Sequence, residues 1–224
     1  MTQGAAPSIV LLHGLGRTRH SLWPVAREAV RRDYRVHNLG YPSRRAPIEE
    51  LAELVGRRVR DIAGDGAVDV VTHSMGGIVL RAAVAADVLP AASIRRVVML
   101  APPNHGSELT DRLRDYLVYR LALGPAAQQI GTDDESVPRR LPPPPFEVGI
   151  IAGRRSTNPL FSRLLGAEGD GKVTVASAQV DGMRELVVVD RSHTFIMWAP
   201  DVLAHIFSFL ETGRFVGSRE SPTP

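Results

Sequence analysis

The chain of 224 residues contains no cysteine. Disulfides, thiolate nucleophiles, Cys-ligated zinc and iron–sulfur clusters are therefore excluded. Lysine is almost missing as well: of 27 basic residues, Lys172 is the one lysine and the rest are arginine. Nor does one sign of charge dominate, since the formal net charge is +3 and the arginines are scattered, mostly beside Glu or Asp. Phosphate affinity needs clustered positive charge, so no nucleic-acid partner is expected. No stretch approaches the roughly 18 apolar residues of a spanning helix, and no stable membrane insertion is expected. Residues 1–7 carry no positive n-region, and the apolar run from Ile9 to Leu12 is too short for a signal core. A cytoplasmic protein is the expectation.

What is present is ordinary for a globular chain: 44% hydrophobic and 23% charged residues. The length fits a single domain over 1–224. Short apolar runs predict strands at 8–12, 34–39, 67–72, 96–101, 146–152 and 185–190. Amphipathic stretches predict helices at 20–32, 48–62, 75–87 and 200–210. In the second of these, Ile48, Leu51, Val55, Val59 and Ile62 share one face. Strand–helix alternation with continuously apolar strands implies an α/β fold, a mostly parallel sheet covered by helices on both faces. The stretch 102–145 breaks the rhythm with an amphipathic segment at 108–123, a polar run and four consecutive prolines. It reads as a cap insertion over the sheet edge. The polar tail at 213–224 is expected to fray.

The sharpest local signal is Thr72-His73-Ser74-Met75-Gly76-Gly77, between a predicted buried strand and a helix. A G-x-S-x-G elbow holds its Ser on a strained turn between small flanking residues. Gly76 fills the second small position, Gly77 adds slack, and Thr72 stands where the first Gly belongs. The helix start would offer free N–H donors to a developing oxyanion, although the same Ser could be a plain helix N-cap. After the first strand comes His13-Gly14-Leu15-Gly16-Arg17. It reads either as an oxyanion loop, with the N–H groups of Leu15 and Met75 as donors, or as a dinucleotide fingerprint. Arg19 stands in place of the third fingerprint Gly and no acidic residue ends the next strand, so the oxyanion loop is preferred. The run 166–172 (G-x-x-x-x-G-K) is a near miss for a P-loop, because Val173 replaces the Ser or Thr that would bind magnesium.

A serine nucleophile needs a histidine base close in space. Of seven histidines, His193 follows the last predicted strand, and a parallel sheet gathers such loops at the carboxyl ends of its strands. A carboxylate should lie between Ser and His in the chain. Glu168, Asp170, Asp181 and Asp190 are candidates, and Asp170 is preferred.

These residues resemble the α/β-hydrolase superfamily, and within it the lipase and esterase group. HGLG after the first strand, THSMGG at the elbow, APPNHGS after the next strand and the late DGKV and SHTFIM carry the resemblance, over roughly 8–210. It implies Ser74 as nucleophile, Asp170 as acid and His193 as base, with Leu15 and Met75 as oxyanion donors. The implied activity is that of a serine carboxylic-ester hydrolase acting through an acyl-enzyme on apolar acyl esters or lipids, with no metal and no organic cofactor. The scaffold also hosts non-catalytic ligand receptors, and acyltransferases and amidases use the same triad. In the cap, Leu109, Leu113, Leu117 and Leu121 form an i, i+4 stripe that Tyr116, Tyr119 and Leu123 widen. The stripe either packs on the body or forms an apolar acyl pocket, with Tyr116, Tyr119 and Leu123 as substrate contacts and charged substrates disfavoured.

Overall fold

Successive side chains on a strand point to opposite faces of a sheet, so a strand that is apolar throughout needs cover on both sides. From Ile9 onward, strand β1 (Ser8–Leu12) is such a strand. Its Val10 and Leu12 enter one core and its Ile9 and Leu11 the other. The same holds along β3 (Val68–His73) and β4 (Ile94–Leu100). The computed structural model, which describes residues 6–156 and 168–218, completes the sheet with β2 (Arg35–Leu39), β5 (Glu147–Gly153) and β6 (Glu185–Val189). The six strands run in the order β2-β1-β3-β4-β5-β6, and every adjacent pair is parallel. The expected sheet is therefore the one observed.

Helices α1 (Trp23–Arg31), α2 (Ile48–Ala63) and α3 (Met75–Ala85) follow the first three strands. The predicted helix at 20–32 starts instead as a 3₁₀ turn, Arg19–Leu22, with Pro24 in the first turn of α1. Proline has no N–H to donate and is tolerated only there, so it fixes the start. The α2 stripe lies buried against α3, where Gly56 permits close approach: a Cβ there would stand 2.9 Å from Val88 Cγ1 and 3.0 Å from Ala83 Cβ. On the opposite face α1 packs beside a last helix, Pro200–Thr212, whose Phe207 and Phe209 are fully buried.

Between β4 and β5 lie α4 (Glu108–Leu113), α5 (Leu117–Leu123), α6 (Pro125–Gln128) and α7 (Val137–Arg140). The amphipathic segment predicted at 108–123 is thus two helices. Tyr116 has extended backbone (φ −78°, ψ 125°) and interrupts the i, i+4 stripe. Asp111 accepts from Thr132 and Arg114 pairs with Asp133 at 2.6 Å, which fixes α4 before the break. Beyond the break, Leu117 is 67% and Leu121 77% exposed, so they face outward. Both ends of the 102–145 stretch are pinned by Arg81 of α3, which is buried. It donates to Asn104 Oδ1 and to the carbonyls of Leu141 and Pro142. Helix α8 (Val175–Ala178) precedes β6, and the last helix is α9.

Within the expected tail, residues 213–218 are described. Phe215 is buried against Phe209, with ring centroids 5.0 Å apart, and its N–H donates to Glu185. Burial of an aromatic ring holds this part down. Residues 219–224, the rest of the expected frayed tail, lie outside the described residues, as does Gly166 of the P-loop near miss. Among the described residues no helix is long and apolar enough to cross a membrane.

Candidate active site

The strand order reverses direction at β1, because β2 lies on one side of it and β3 on the other. In an open α/β sheet, the crevice at such a point is where ligands bind. Register brings the strand ends level: Leu12 pairs with Thr72, His73 with Leu100, and Gly153 with Val189. The residues that follow these ends form the candidate site.

Ser74 follows β3 directly and opens α3. It holds φ 52°, ψ −127°, a left-handed conformation that a residue with a Cβ adopts only when its surroundings impose it. Two constraints impose it. The Ser74 N–H donates to Leu100 O at 2.8 Å. The helix also leaves so close to β1 that a Cβ on Gly76 would stand 2.6 Å from Leu12 O and 2.9 Å from His13 O. Thr72, the departure from the small-residue pattern, is fully buried, and a Cβ on Gly77 would lie 3.2 Å from its Oγ1. The bulk gained at Thr72 is matched by the side chain missing at Gly77.

His193 lies in the loop after β6 and is 5% exposed. Its Nε2 is 3.0 Å from Ser74 Oγ and its Nδ1 is 2.8 Å from Asp170 Oδ2. A carboxylate only accepts, so Nδ1 carries the proton and Nε2 accepts from the serine hydroxyl. Asp170 is buried, and its other oxygen accepts from the N–H groups of Lys172 (3.0 Å) and Val173 (2.9 Å). The three side chains named from the sequence thus meet. Of the other acids considered, Glu168, Asp181 and Asp190 are exposed.

The loop after β1 is braced from the side. His13 Nδ1–H donates to Gly14 O at 2.9 Å, and its Nε2 accepts from the Tyr41 N–H at 3.3 Å. The Tyr41 hydroxyl donates to His13 O, and the two rings stack 4.2 Å apart. Burial lowers the His13 pKa from its ordinary 6.5 and pushes the Tyr41 phenol up, so both stay neutral. Gly14 passes so close to the elbow that a Cβ would stand 2.9 Å from His73 Nδ1. That contact accounts for a Gly at this position without a dinucleotide. The Leu15 N–H has no acceptor among the described residues, and Met75, as the first residue of α3, lies outside the helical ladder.

Sequence reasoning passed over His73. It is buried inside the elbow motif, and its Nε2 lies 3.0 Å from the His193 carbonyl. Burial, then the neighbouring His193, hold its pKa well below 6.5. It also passed over Tyr41, which no motif marks.

A cavity of about 110 Å³ opens beside Ser74 and His193. Leu15, Leu109, Leu123, Ile130 and Val173 give it apolar wall, and Ser107, Thr110 and Tyr119 polar wall. Tyr119 and Leu123, two of the residues expected as substrate contacts, are among those lining it. Tyr116 does not line the cavity and is 64% exposed, because the helix breaks at that residue. Arg17 and Lys172 also line the cavity, beside the apolar wall.

The family model described as "Domain of unknown function (DUF7379)" matches residues 3–124, just over half of the chain. No curated protein matches in sequence. Among solved structures, the mature form of Bacillus licheniformis lipase BlEst2 is similar over 88% of this chain and 89% of its own, at 20% identity and TM-score 0.71. The metagenomic carboxyl esterase MGS0156 is similar over 87% of this chain and 66% of its own, at 21% identity and TM-score 0.61. Aspergillus fumigatus lipase B is similar over 93% of this chain, which spans about half of that protein (53%), at 15% identity and TM-score 0.66. At these identities the likeness establishes the fold, that of the α/β-hydrolases.

Proposed function

The chain belongs to the DUF7379 family of domains of unknown function, and from that starting point we propose that it is a serine carboxylic-ester hydrolase. The reading rests on one observation: an unbroken line of hydrogen bonds, Asp170 to His193 at 2.8 Å and His193 to Ser74 at 3.0 Å, that ends at a cavity. The names of its structural neighbours, lipases and an esterase, agree with it.

Ser74 Oγ attacks the ester carbonyl carbon while His193 Nε2 takes its proton. Asp170 keeps His193 in the tautomer that can accept, and stabilises the imidazolium that forms. The N–H groups of Leu15 and Met75 stabilise the oxyanion of the tetrahedral intermediate. His193 then gives its proton to the leaving alcohol as the C–O bond breaks, and Ser74 is left acylated. Water, deprotonated by His193, attacks the acyl carbon and restores the serine. The acyl chain lies against Leu15, Leu123 and Val173, beside Tyr119. No organic cofactor takes part in this sequence.

The test is hydrolysis of 4-nitrophenyl esters graded by chain length, with wild type and Ser74→Ala. Wild type turns over at least one ester, and Ser74→Ala, folded by circular dichroism, loses more than about 1,000-fold in kcat. Undiminished turnover by the variant would overturn the assignment.

A further inference from the structure

Two cations line the cavity, and among the described residues no Asp or Glu lines it with them. Arg17 comes from the loop after β1 and Lys172 from the turn after Asp170, yet both line the space beside Ser74 and His193. Among the described residues neither side chain takes part in an ion pair. Asp170 is close but committed, one oxygen to His193 and the other to two backbone N–H groups. The lining itself thus carries two cations, with Asp170 behind it as the carboxylate that acts on Lys172.

Like charges brought together in a partly buried space repel, and the repulsion is relieved by an anion. The lysine feels this: burial, then Arg17, lower its pKa from the ordinary value, against a smaller opposing effect of Asp170. Its identity is also telling. This chain uses arginine for all of its basic residues but one, and the exception stands two residues from the acid, at the cavity wall. An ammonium is a compact point charge on a flexible stem, suited to a small site where a planar guanidinium is bulky.

We propose that this cavity takes an ester bearing a second, anionic group, a carboxylate held between Arg17 and Lys172 while Ser74 attacks the ester carbonyl. The inference rests on the ester-hydrolase reading and names its substrate class. The apolar wall of Leu109, Leu123 and Ile130 takes the methylenes between the two functional groups. A neutral ester of equal length leaves both cations unpaired, and discrimination follows from that.

The experiment uses pairs in which a free carboxylate is exchanged for its methyl ester, with each ratio corrected for the pair's uncatalysed hydrolysis rates. Mono-4-nitrophenyl adipate is compared with methyl 4-nitrophenyl adipate, which places the charge on the acyl side. Likewise 4-acetoxybenzoate is compared with methyl 4-acetoxybenzoate, which places it on the alcohol side. In one pair the charged member has the higher kcat/KM by at least about tenfold, and that ratio collapses by about tenfold in Lys172→Met and in Arg17→Met. High salt narrows it as well. Because each variant lies on a different loop, misfolding of one leaves the other as the test. If wild type hydrolyses the neutral esters and prefers them, or treats both members of each pair alike, this inference fails and the hydrolase reading stands. A readout without turnover is the melting temperature of Ser74→Ala with monomethyl adipate and with dimethyl adipate. Stabilisation by the monoanion alone, lost in Ser74→Ala/Arg17→Met, supports the site even where no ester is cleaved. Equal effects of both compounds, or none, overturn it.

Discussion

His73 and His193 are joined through the backbone: His73 Nε2 donates to the His193 carbonyl at 3.0 Å, and the two rings lie 4.9 Å apart. The second residue of the serine elbow thus holds the loop that carries the proposed base. A carbonyl only accepts, so the His73 proton is on Nε2. His73→Phe fills the space but leaves a buried carbonyl without a donor, a cost of about 1–3 kcal/mol. Urea unfolding of the variant should show that loss together with a lower kcat, and His73→Gln, which keeps a donor, should recover part of both. A variant as stable and active as wild type would remove His73 from the account.

Gly76 and Gly77 predict unequal responses to the same change. At Gly76 a Cβ meets backbone at 2.6 Å, which cannot give without moving β1. At Gly77 it meets the Met99 Sδ at 3.1 Å and Thr72 Oγ1 at 3.2 Å, both side chains that can shift. Overpacking costs about 1–3 kcal/mol. Gly76→Ala should reach or exceed that range and displace Ser74. Gly77→Ala, which gains helix propensity of about 1 kcal/mol over glycine, should cost clearly less. Thermal denaturation and ester turnover measure both.

Asp170→Asn keeps the shape of the acid and can still accept the Lys172 and Val173 N–H groups. It removes the acceptor that fixes the His193 tautomer. In trypsin this exchange lowers kcat by about 10⁴, and a fall of about that order is expected here with little change in KM. Steady-state kinetics on the best ester decide it.

Acid should destabilise the fold before it protonates most carboxylates. Burial lowers the folded-state pKa of His13 and of His73 from the ordinary 6.5. As pH falls below 6.5, the unfolded chain takes up protons that these two residues refuse while folded. Their contribution is complete above that pH and is lost downward towards the folded-state values. Melting temperature should be level from pH 8 to pH 7 and decline between about pH 6.5 and pH 5. A melting temperature that rises over the same interval would contradict the neutral state of both rings.

The sheet was legible because its strands are short, apolar on both faces and separated by stretches of helical period. The Ser74 elbow was legible because Gly76 and Gly77 follow it at a strand-to-helix junction. Asp170 and His193 could be read from chain order and from the loop positions that a parallel sheet brings to one edge. The cap was less legible. A stripe from Leu109 to Leu121 has helical spacing, but nothing local announces the extended backbone at Tyr116, which follows a helix tied through Asp111 and Arg114 to Thr132 and Asp133, distant in sequence. Tyr41 carries no motif and Arg17 ends the glycine loop with no role read for it, and their places beside the site follow from how loops after different strands converge.

The most direct measurement is reaction of the folded protein with diethyl 4-nitrophenyl phosphate, followed by mass spectrometry of the digested chain. One diethylphosphoryl adduct is expected, on Ser74, absent from Ser74→Ala and formed much more slowly by His193→Ala. A folded protein that stays unlabelled at Ser74, or is labelled there just as fast without His193, would contradict the proposed roles of Ser74 and His193.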